Sequence, residues 1–380
     1  MNAIGKTDFF AADTYSRFPL VAERGKGAWI FGEKGEKYLD FVGGLGTAAV
    51  GHCNPQVVKA ITAQSKKLIH ASNLFYSEEQ AELSELLCSI SGLEKVFLTN
   101  SGAESVECAI KTVRKATGRE KIIAFKNGFH GRTMGALSLT WNEKYRLPFE
   151  PLLSGVEFAE FNNLESVEID GETAAVFVEP VQGEGGVVPA EKEFLKGLKD
   201  SCEDKQALLV LDEVQTGFGR TGHMFAFQKY GVTPDLLCLS KAMGGGVPIG
   251  AVVGSPLEAL KKGEHASTFG GNPLACAASI AAIKFILKKK LAEKARVLGG
   301  RFIHKVSEIA PSRGLGFMVA IEAESEEERG KIVSKAFEKK LLLSKAGKKA
   351  IRIMPPLVAS EKHLGQCVKI LESVFSRCKS

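Results

Sequence analysis

The sequence predicts an α/β fold with a largely parallel sheet, divided into a large domain and a smaller one. Along the chain, short runs rich in apolar and β-branched residues alternate with segments of helical periodicity. Most of the strand runs are almost continuously apolar, which is typical of strands that helices cover on both faces. The chain has 380 residues, a length typical of more than one domain.

The predicted elements follow from these runs in chain order. Short N-terminal strands are expected at 29–30 and 37–41, and main-sheet strands at 95–99, 121–126, 174–179, 207–214, 235–240 and 249–254. Helices are predicted at 79–91, 103–117, 193–204, 273–288 and 325–339. We expect residues 61–280 to form the large domain, and residues 1–60 and 281–380 to form the smaller one together.

Composition and charge exclude several classes of protein. Hydrophobic residues make up 44% and charged residues 25% of the chain, as in globular proteins and unlike disordered or fibrous ones. No apolar run approaches the roughly 20 residues that cross a bilayer, and the N-terminus lacks the pattern of a secretory signal. The net charge of +6 is spread among interleaved acids and bases. We therefore expect neither a nucleic-acid partner nor a membrane.

The cysteines and histidines favour a reduced protein without a metal. The chain has eight cysteines and seven histidines, and they form no C-x-x-C pair and no metal-ligand spacing. Several cysteines, such as Cys238, stand inside apolar runs. Such residues behave as small buried hydrophobes in a reducing compartment. The sequence therefore predicts a cytoplasmic protein with no metal site.

Glycine is over-represented, with 40 residues against an average of about 7%. Many glycines cluster, at 43–46, 183–186, 217–222, 244–246 and 270–271. Residues 217–222 match G-x-G-x-x-G, and residues 44–49 match its looser form that ends in alanine. Neither segment continues into a clear helix, so neither has the setting of a dinucleotide site. We expect most of these clusters to line a single ligand pocket instead.

Polar or glycine-rich segments follow five consecutive predicted strands. Asn100 follows the first strand, Asn127 the second and Glu179 the third, while Asp212 stands near the end of the fourth and Lys241 after the fifth. In open α/β sheets, ligands bind at the carboxyl ends of the strands. We interpret the five strand ends as parts of one pocket.

Lys241 and Asp212 are the residues at these ends most suited to chemistry. Lys241 stands between a hydrophobic strand and a glycine-rich turn, where loss of hydration would lower the pKa of its amine and suit it to Schiff-base formation. Asp212 ends an apolar run, where a carboxylate needs a cationic partner such as a protonated cofactor nitrogen. Each also has an ordinary interpretation, as a lysine that ends a strand and as an acid in a structural ion pair.

Residues 101–103 lead directly into a predicted helix. The free N–H groups of a helix start favour phosphate, so Ser101, Gly102 and Ala103 are candidate phosphate ligands. Ser101 can also be an N-cap, with Glu104 completing a capping box. The two roles are compatible, and the sequence leaves both open.

These features occur together in one known family. The sequence resembles the class III aminotransferases, which act on ω-amino groups and have the type I pyridoxal-phosphate fold. The resemblance extends in order over nearly the whole chain. The similar segments are 100–104 (NSGAE), 129–133 (FHGRT), 179–184 (EPVQGE), 211–220 (LDEVQTGFGR), 240–250 (SKAMGGGVPIG), 267–273 (STFGGNP) and 352–356 (RIMPP).

The resemblance implies pyridoxal 5′-phosphate as the cofactor, in a homodimer whose active site lies at the subunit interface. Lys241 would bind the cofactor covalently and transfer the substrate proton, and Asp212 would keep the ring nitrogen protonated. Further implied cofactor contacts come from Ser101, Gly102, Ala103, Phe129, His130, Gln215 and Thr268. Phe129 would stack on the ring, and Thr268 would reach the phosphate bound by the partner subunit.

The resemblance also implies how two small-molecule substrates share one pocket. Arg132 would bind the α-carboxylate of the amino donor and the side-chain carboxylate of glutamate. Arg352 would bind the α-carboxylate of glutamate or 2-oxoglutarate, because guanidinium grips carboxylate in a bidentate manner. Glu184 would mask Arg352 while the donor is bound. Tyr15 and Ser267 are the other implied substrate contacts.

The implied reaction transfers the δ-amino group of N2-acetyl-L-ornithine to 2-oxoglutarate, giving N-acetyl-L-glutamate 5-semialdehyde and L-glutamate, a step of arginine biosynthesis. Leu45 favours this donor, since ornithine aminotransferases usually carry a tyrosine at that position. Ornithine, succinylornithine, succinyl-diaminopimelate and 4-aminobutyrate are the alternative donors.

Overall fold

The structure, a computed structural model, describes residues 1–376, so that Cys378, one of the cysteines predicted to be reduced, lies outside the described range. The α-helices of this range are α1 (Ala3–Phe10), α2 (Pro55–Ser65), α3 (Glu78–Ser91), α4 (Gly102–Thr117), α5 (Met134–Ser138), α6 (Glu143–Arg146), α7 (Lys192–Lys205), α8 (Ala226–Tyr230), α9 (Pro273–Lys288), α10 (Leu291–Ser307), α11 (Glu326–Glu338) and α12 (Glu361–Ser376).

The strands are β1 (Ala22–Lys26), β2 (Trp29–Gly32), β3 (Lys37–Asp40), β4 (Val96–Thr99), β5 (Lys121–Phe125), β6 (Val156–Ala159), β7 (Thr173–Val178), β8 (Val181–Gln182), β9 (Val188–Pro189), β10 (Leu208–Asp212), β11 (Leu236–Leu239), β12 (Gly250–Val253), β13 (Ser312–Leu315), β14 (Met318–Glu322), β15 (Leu341–Leu342), β16 (Ser344–Ala346) and β17 (Ala350–Ile353). Short 3₁₀ helices include Gly43–Gly46 and Lys241–Gly244.

A seven-stranded mixed sheet forms the centre of the fold, in the order β4-β12-β11-β10-β7-β5-β6. The neighbouring pairs from β11 to β6 are parallel, whereas β12 runs antiparallel to β4 and β11. Because β12 is the reversed strand, the carboxyl ends of β4, β11, β10, β7 and β5 lie at one edge of the sheet. The predicted α/β class and largely parallel sheet are confirmed, and the five polar strand ends share an edge.

The strands and helices predicted for this region are all present, with ends shifted by one or two residues. β7 and β11 are buried at every position, as their continuous apolar runs predict. The outer strand β6 was not predicted. It is partly exposed along its length, so its sequence lacks the continuous apolar run that identified the inner strands.

Helix boundaries near the sheet edge follow from capping residues. Ser101 caps α4 by accepting a hydrogen bond from the N–H of Glu104, and α4 ends at Gly118, which has a φ of 70°. Asn272 caps α9, and Pro273 is the first residue of that helix. These caps hold the start of each helix at a fixed place relative to the strand ends.

Strands from the two ends of the chain pair with one another. β3 is bonded in parallel to β15, with Leu39 opposite Leu341, in the four-stranded sheet β1-β2-β3-β15. The antiparallel sheet β13-β14-β17-β16 carries Arg352 on β17. This pairing supports a smaller domain formed by 1–60 and 281–380 beside a larger one of 61–280, a division that stays a prediction.

The G-x-G-x-x-G segment packs against α10. A Cβ on Gly222 would lie 2.8 Å from the Cβ of Arg296, so glycine permits this close approach. Within the segment, Arg220 donates hydrogen bonds from Nη1 to the carbonyl oxygens of Phe317, at 3.1 Å, and Pro355, at 2.5 Å. Within this cluster, Gly219 and Gly222 therefore serve the packing of a loop on a helix, and the expectation that most glycine clusters line one pocket stays a prediction.

The described thiols are free, and most are buried. Burial raises the pKa of the Cys108, Cys202 and Cys276 thiols to about 12, so these cysteines behave as small apolar side chains. Within residues 1–376, every helix is too short or too polar to cross a bilayer. In the same range, no cluster of three or more His, Cys, Asp or Glu side chains has the arrangement of a metal site.

Candidate active site

Lys241 comes two residues after the end of β11 and begins the 3₁₀ helix Lys241–Gly244. Its φ of 39° lies in the left-handed region, which costs a non-glycine residue about 1–3 kcal/mol and is retained mainly at functional sites. The preceding Ser240 fixes the turn, since its hydroxyl donates to the carbonyl oxygen of Ile249 at 2.8 Å. Burial lowers the pKa of the Lys241 amine below its usual value, even though the nearby Glu184 carboxylate opposes the shift. Lys241 therefore presents an amine that loses its proton more readily than a surface lysine.

Asp212 is the last residue of β10, and 5% of it is exposed. Its Oδ1 accepts a hydrogen bond from the N–H of Val214 at 3.0 Å, and its Oδ2 lies 2.8 Å from Nδ1 of His130. Burial acts to lower the pKa of His130, but the hydrogen bond and negative charge of Asp212 outweigh it and raise the pKa above its usual value. The two side chains thus form a buried, hydrogen-bonded pair.

Glu179 is a buried carboxylate that the sequence interpretation did not include among the site residues. It directly follows β7, and its two oxygens accept hydrogen bonds from the N–H groups of Phe129, at 2.9 Å, and Gly183, at 3.1 Å. Burial raises its pKa to about 7. One side chain thus connects the backbone of Phe129 to the loop that leads to Glu184. The signal in the sequence was an acid placed directly after five apolar strand residues.

The first turn of α4 has backbone N–H groups available at the sheet edge. Ser101 caps the helix, and the Glu104 carboxylate accepts hydrogen bonds from the backbone and side-chain N–H groups of Asn100, both at 2.9 Å. The capping box therefore closes on Asn100, one residue before the expected position. The N–H groups of Gly102 and Ala103 belong to the first turn, where a helix supplies no acceptor of its own.

The start of α4 is fixed beside the end of β11. The hydroxyl of Ser105 donates to the carbonyl oxygen of Leu239 at 3.1 Å, two residues before Lys241. A Cβ on Gly250, at the start of β12, would lie 2.5 Å from Oγ1 of Thr99, so only glycine fits there. The N–H groups of α4 and the amine of Lys241 consequently belong to the same sheet edge.

Arg352 lies on β17 with 1% of its side chain exposed, and it forms an ion pair with Glu184, of whose side chain 38% is exposed. Its Nη1 donates to Glu184 Oε1 at 2.5 Å and to Gln215 Oε1 at 3.2 Å, and its Nε donates to Ser344 at 3.2 Å. Burial opposes ionisation of Glu184, but the charge and hydrogen bond of Arg352 lower its pKa below the usual value. The predicted pairing of Arg352 with Glu184 is present in the structure, with Gln215 as a third member.

Arg132 has an entirely different environment. It is exposed, and its guanidinium carbon lies 3.6 Å from the ring centroid of Tyr145 and 5.5 Å from that of Phe129. The backbone of Phe129 is held by Glu179, as described above. Arg132 is therefore stacked on an aromatic ring, a contact that the sequence interpretation missed because it depends on the path of the loop.

Ser267 and Thr268 line a cavity of about 400 Å³ next to the start of α4. The Ser267 hydroxyl accepts hydrogen bonds from the Asn100 side chain at 3.2 Å and from the N–H of Gly270 at 2.9 Å. Thr268 is exposed. Ser267 thus contacts the segment that precedes α4.

The turn Gly43–Gly46 lies beside Lys241. A Cβ on Gly46 would stand 3.9 Å from Cδ of Lys241, and the neighbouring Leu45 is 48% exposed with a φ of 57°. Tyr15 lies in the N-terminal segment with 71% of its surface exposed, and the guanidinium of Arg17 is 5.3 Å from its ring centroid. Leu45 therefore adjoins the cluster, whereas the contact described for Tyr15 is with its own segment.

Comparison with known proteins gives a consistent result. The family model for class-III aminotransferases matches residues 10–375. The acetylornithine aminotransferase of Archaeoglobus fulgidus is 48% identical over 94% of this chain and 96% of its own length. The acetylornithine aminotransferase of Clostridium acetobutylicum is 43% identical over 96% of this chain and 98% of its own length.

Solved structures share the fold over almost the whole chain. The ornithine aminotransferase of Toxoplasma gondii ME49 superposes with a TM-score of 0.95 at 32% identity, covering 99% of this chain and 94% of that one. The acetylornithine aminotransferase of Elizabethkingia anophelis gives a TM-score of 0.88 at 32% identity, covering 98% of each chain. The fold therefore does not separate enzymes named for the two substrates.

Proposed function

The chain belongs to the class-III aminotransferase family, and from this premise we propose that it transfers the δ-amino group of N2-acetyl-L-ornithine to 2-oxoglutarate. The products are N-acetyl-L-glutamate 5-semialdehyde and L-glutamate. The observation that carries the proposal is the identity of 42–48% with several acetylornithine aminotransferases over nearly the full chain. On this basis the enzyme works in arginine biosynthesis.

The cofactor of the family is pyridoxal 5′-phosphate, and the donor set of this site fits it. The fit rests on three groups at one sheet edge: a buried amine with a lowered pKa, a buried carboxylate, and a helix start with free N–H groups. In this assignment, Lys241 binds the aldehyde and Asp212 accepts a hydrogen bond from the ring nitrogen. Gly102 and Ala103 donate backbone N–H groups to the phosphate, with the α4 dipole in support.

Bound cofactor supplies an electron sink that lets the donor lose the proton next to its amino group. The residues of the chain supply the rest. The Lys241 amine accepts that proton and returns it at the adjacent position, a role that suits an amine with a lowered pKa. Asp212 would keep the ring nitrogen charged, and its hydrogen bond with His130 fixes its side chain. Phe129, held at its N–H by Glu179, would contact the ring.

The two arginines divide the substrate carboxylates between them. Arg132 binds the α-carboxylate of the donor with its exposed guanidinium. Arg352 binds the α-carboxylate of 2-oxoglutarate or glutamate, after Glu184 has turned away from it. The larger exposure of Glu184 supports it as the partner that moves, because its side chain can rotate into water while Arg352 stays buried. Ser267, Thr268 and Tyr15 are further proposed contacts with substrate or cofactor.

We infer that the enzyme is a homodimer that functions in the cytoplasm. Several large apolar side chains are exposed near Thr268, a residue that the dimer hypothesis assigns to the partner's cofactor phosphate; they include Leu74, Phe75, Tyr76 and Phe269. A second copy that covers them would also bring Thr268 to its site. Free, buried thiols suit a reducing compartment. Sedimentation analysis should give twice the chain mass, and a monomer that is fully active would contradict the dimer.

A panel of amino donors tests the substrate. We expect kcat/KM for N2-acetyl-L-ornithine to exceed that for ornithine, succinylornithine, succinyl-diaminopimelate and 4-aminobutyrate. Higher kcat/KM for free ornithine by a large factor would overturn the proposal in favour of an ornithine δ-aminotransferase, the activity of the structural neighbour with a TM-score of 0.95.

A second experiment tests the reaction class. The holoenzyme should be yellow, and its visible absorbance should change when amino donor is added without 2-oxoglutarate. The Lys241→Ala variant should lose turnover, since it lacks the amine that binds the cofactor and moves the proton. Undiminished turnover in that variant would exclude the mechanism, and a colourless protein that oxidises NAD(P)H would indicate a different class of enzyme.

A further inference from the structure

The guanidinium of Arg132 is held flat against the ring of Tyr145. The distance from the guanidinium carbon to the ring centroid is 3.6 Å, which is the separation of two planar groups in contact. The ring of Phe129 lies on the guanidinium at a longer distance of 5.5 Å. Stacking of this kind restricts rotation of an otherwise flexible arginine side chain.

The edge of the same guanidinium is free. Among residues 1–376, no carboxylate forms an ion pair with Arg132, and no hydrogen bond from its side chain to another residue is present. The five N–H donors of a guanidinium lie in its plane. A ring on the face therefore fixes the orientation of the plane without occupying the donors that a carboxylate needs.

Tyr145 has a defined position because its segment is tied back to the loop that carries Arg132. The N–H of Trp141 donates to the carbonyl oxygen of Gly128 at 3.0 Å, and the N–H of His130 donates to the Thr140 hydroxyl at 3.0 Å. Tyr145 itself belongs to α6, whose N-cap is Asn142. Arg132 thus lies within the stretch that these bonds close, and Tyr145 follows four residues after its end, on α6.

We propose that Tyr145 is a positioning residue that orients the guanidinium of Arg132 and thereby makes the site selective for donors that carry a carboxylate. The inference rests on the proposed function in one respect, since it takes Arg132 as the ligand of the donor carboxylate. Tyr145 acts through Arg132: it contributes by reducing the freedom that the guanidinium would otherwise lose on binding.

The Tyr145→Leu variant of the holoenzyme tests this role. We expect KM for N2-acetyl-L-ornithine to rise about 5- to 10-fold, the effect of losing roughly 1 kcal/mol of cation–π contact, with kcat changed less than about 2-fold. The Tyr145→Phe variant keeps the ring and should retain the wild-type KM. A fall in kcat with an unchanged KM, or an equal loss in the phenylalanine variant, would overturn the proposal.

Two donors that differ only in the α-carboxylate show whether Tyr145→Leu acts through the orientation of Arg132 or damages the whole site. N-acetylputrescine is N2-acetylornithine without its α-carboxylate. The Tyr145→Leu change should leave kcat/KM for N-acetylputrescine unaltered, while it lowers kcat/KM for the carboxylate donor. If both donors lose activity in equal proportion, Tyr145 has only a structural role and the inference is wrong.

A neighbouring stack provides the control variant. The Arg146 guanidinium carbon lies 4.7 Å from the ring centroid of Phe158 on β6, outside the proposed site. The Phe158→Leu variant should leave the ratio of the two donors at the wild-type value, with thermal unfolding recorded for each variant. A change of the ratio in Phe158→Leu equal to that in Tyr145→Leu would show that the effect is not specific to Arg132.

Failure of this inference and failure of the proposed function are distinguishable. If the donor panel selects another carboxylate-bearing donor, the Tyr145 effect should appear with that donor. The Arg132→Met variant should raise the same KM, and adding Tyr145→Leu to it should cause no further rise, because the ring acts only through the guanidinium. An additive effect in the double variant would contradict the inference while leaving the reaction itself unaffected.

Discussion

Two arginines of one chain are prepared for the same chemical task in opposite ways. Arg352 is buried on a strand and paired with Glu184, whereas Arg132 is exposed on a loop and stacked on Tyr145. In the first case the donors of the guanidinium are occupied, and in the second they are free. The difference teaches that the availability of an arginine depends on which part of the guanidinium its neighbours contact.

An arginine whose N–H donors are paired can bind a carboxylate only after the pair has opened. An arginine that is contacted only on the face of its guanidinium can bind a carboxylate at any time. The proposed function assigns a role to each kind. Arg132 would bind a carboxylate in both half-reactions, and Arg352 would bind one only in the second. The closed pair also keeps the guanidinium of Arg352 satisfied when no second carboxylate is present.

Removing each arginine should give the largest effects, and Arg352→Met should separate the half-reactions, because Arg132 is proposed to bind a carboxylate of both substrates and Arg352 of only one. In Arg132→Met, KM for the amino donor should rise about 10- to 100-fold, the effect of one charge-assisted carboxylate contact. In Arg352→Met, the rise of similar size should fall on 2-oxoglutarate and the donor half-reaction should be affected much less. Single-turnover kinetics of each half-reaction measure this.

If Arg132→Met and Arg352→Met slow both half-reactions to the same extent, the proposed difference between the two arginines is wrong. Arg352→Lys serves as the control, because it keeps the charge and loses the bidentate geometry. We expect that variant to remain impaired with 2-oxoglutarate. Its full recovery would mean that charge alone matters at Arg352.

Weakening the ion pair between Glu184 and Arg352 should give a smaller effect, in which a KM falls. Glu184→Gln preserves the shape of the side chain but weakens its hold on Arg352, which 2-oxoglutarate must otherwise displace. KM for 2-oxoglutarate should therefore fall by about 5-fold, corresponding to roughly 1 kcal/mol for a partly exposed ion pair. Steady-state kinetics at saturating donor provide the value. An increase in this KM would show that Glu184 helps to bind the second substrate and does not mask its site.

The smallest expected effect concerns the amine of Lys241. Burial lowers its pKa most strongly, the charge of Glu184 raises it and the charge of Arg352 lowers it. In cofactor-free protein, Arg352→Met should raise the pKa of Lys241 and Glu184→Gln should lower it, because each variant removes a nearby charge. Lysine labelling at a series of pH values, read by mass spectrometry, follows the change.

Lys67 and the Arg132→Met variant are the two controls of the labelling experiment. Lys67 is exposed and its pKa is raised by Glu79, so Lys241 should react at lower pH than Lys67 in every variant. Arg132→Met should leave the labelling of Lys241 unaltered, because Arg132 is not among the charges that shift it. A shift as large as that of the Arg352 variant would place both arginines in one electrostatic environment and remove the distinction between them.

The parts of the site that sequence could predict are those set by strands. The apolar run before Lys241 and the run that ends in Asp212 identify strand ends, and parallel strands bring such ends to one edge. No periodicity identifies Arg132 or Arg352 as substrate ligands, and only the resemblance to a family did so. In the structure Arg132 is exposed and Arg352 is paired, a difference that residue spacing cannot predict.

The residues that sequence reasoning missed act across long separations or through loop geometry. Glu179 bonds to Phe129, 50 positions away in the chain, and Tyr145 meets Arg132 because a loop turns back on itself. The glycines of 217–222 show that one signal can have more than one cause. Their clustering suggested a ligand pocket, and Gly219 and Gly222 also allow a loop to approach α10, since glycine serves any close contact of backbone and not only contact with ligands.

The left-handed backbone of Lys241 makes the active enzyme less robust than the same fold could be. At most positions alanine gives a more heat-resistant protein than glycine, but at a φ of 39° the order should reverse. Comparing Lys241→Gly with Lys241→Ala, we expect the glycine variant to unfold at the higher temperature, by about 1 kcal/mol of stability. Selection for thermostability alone would therefore favour glycine in place of Lys241 and would remove the proposed catalytic amine.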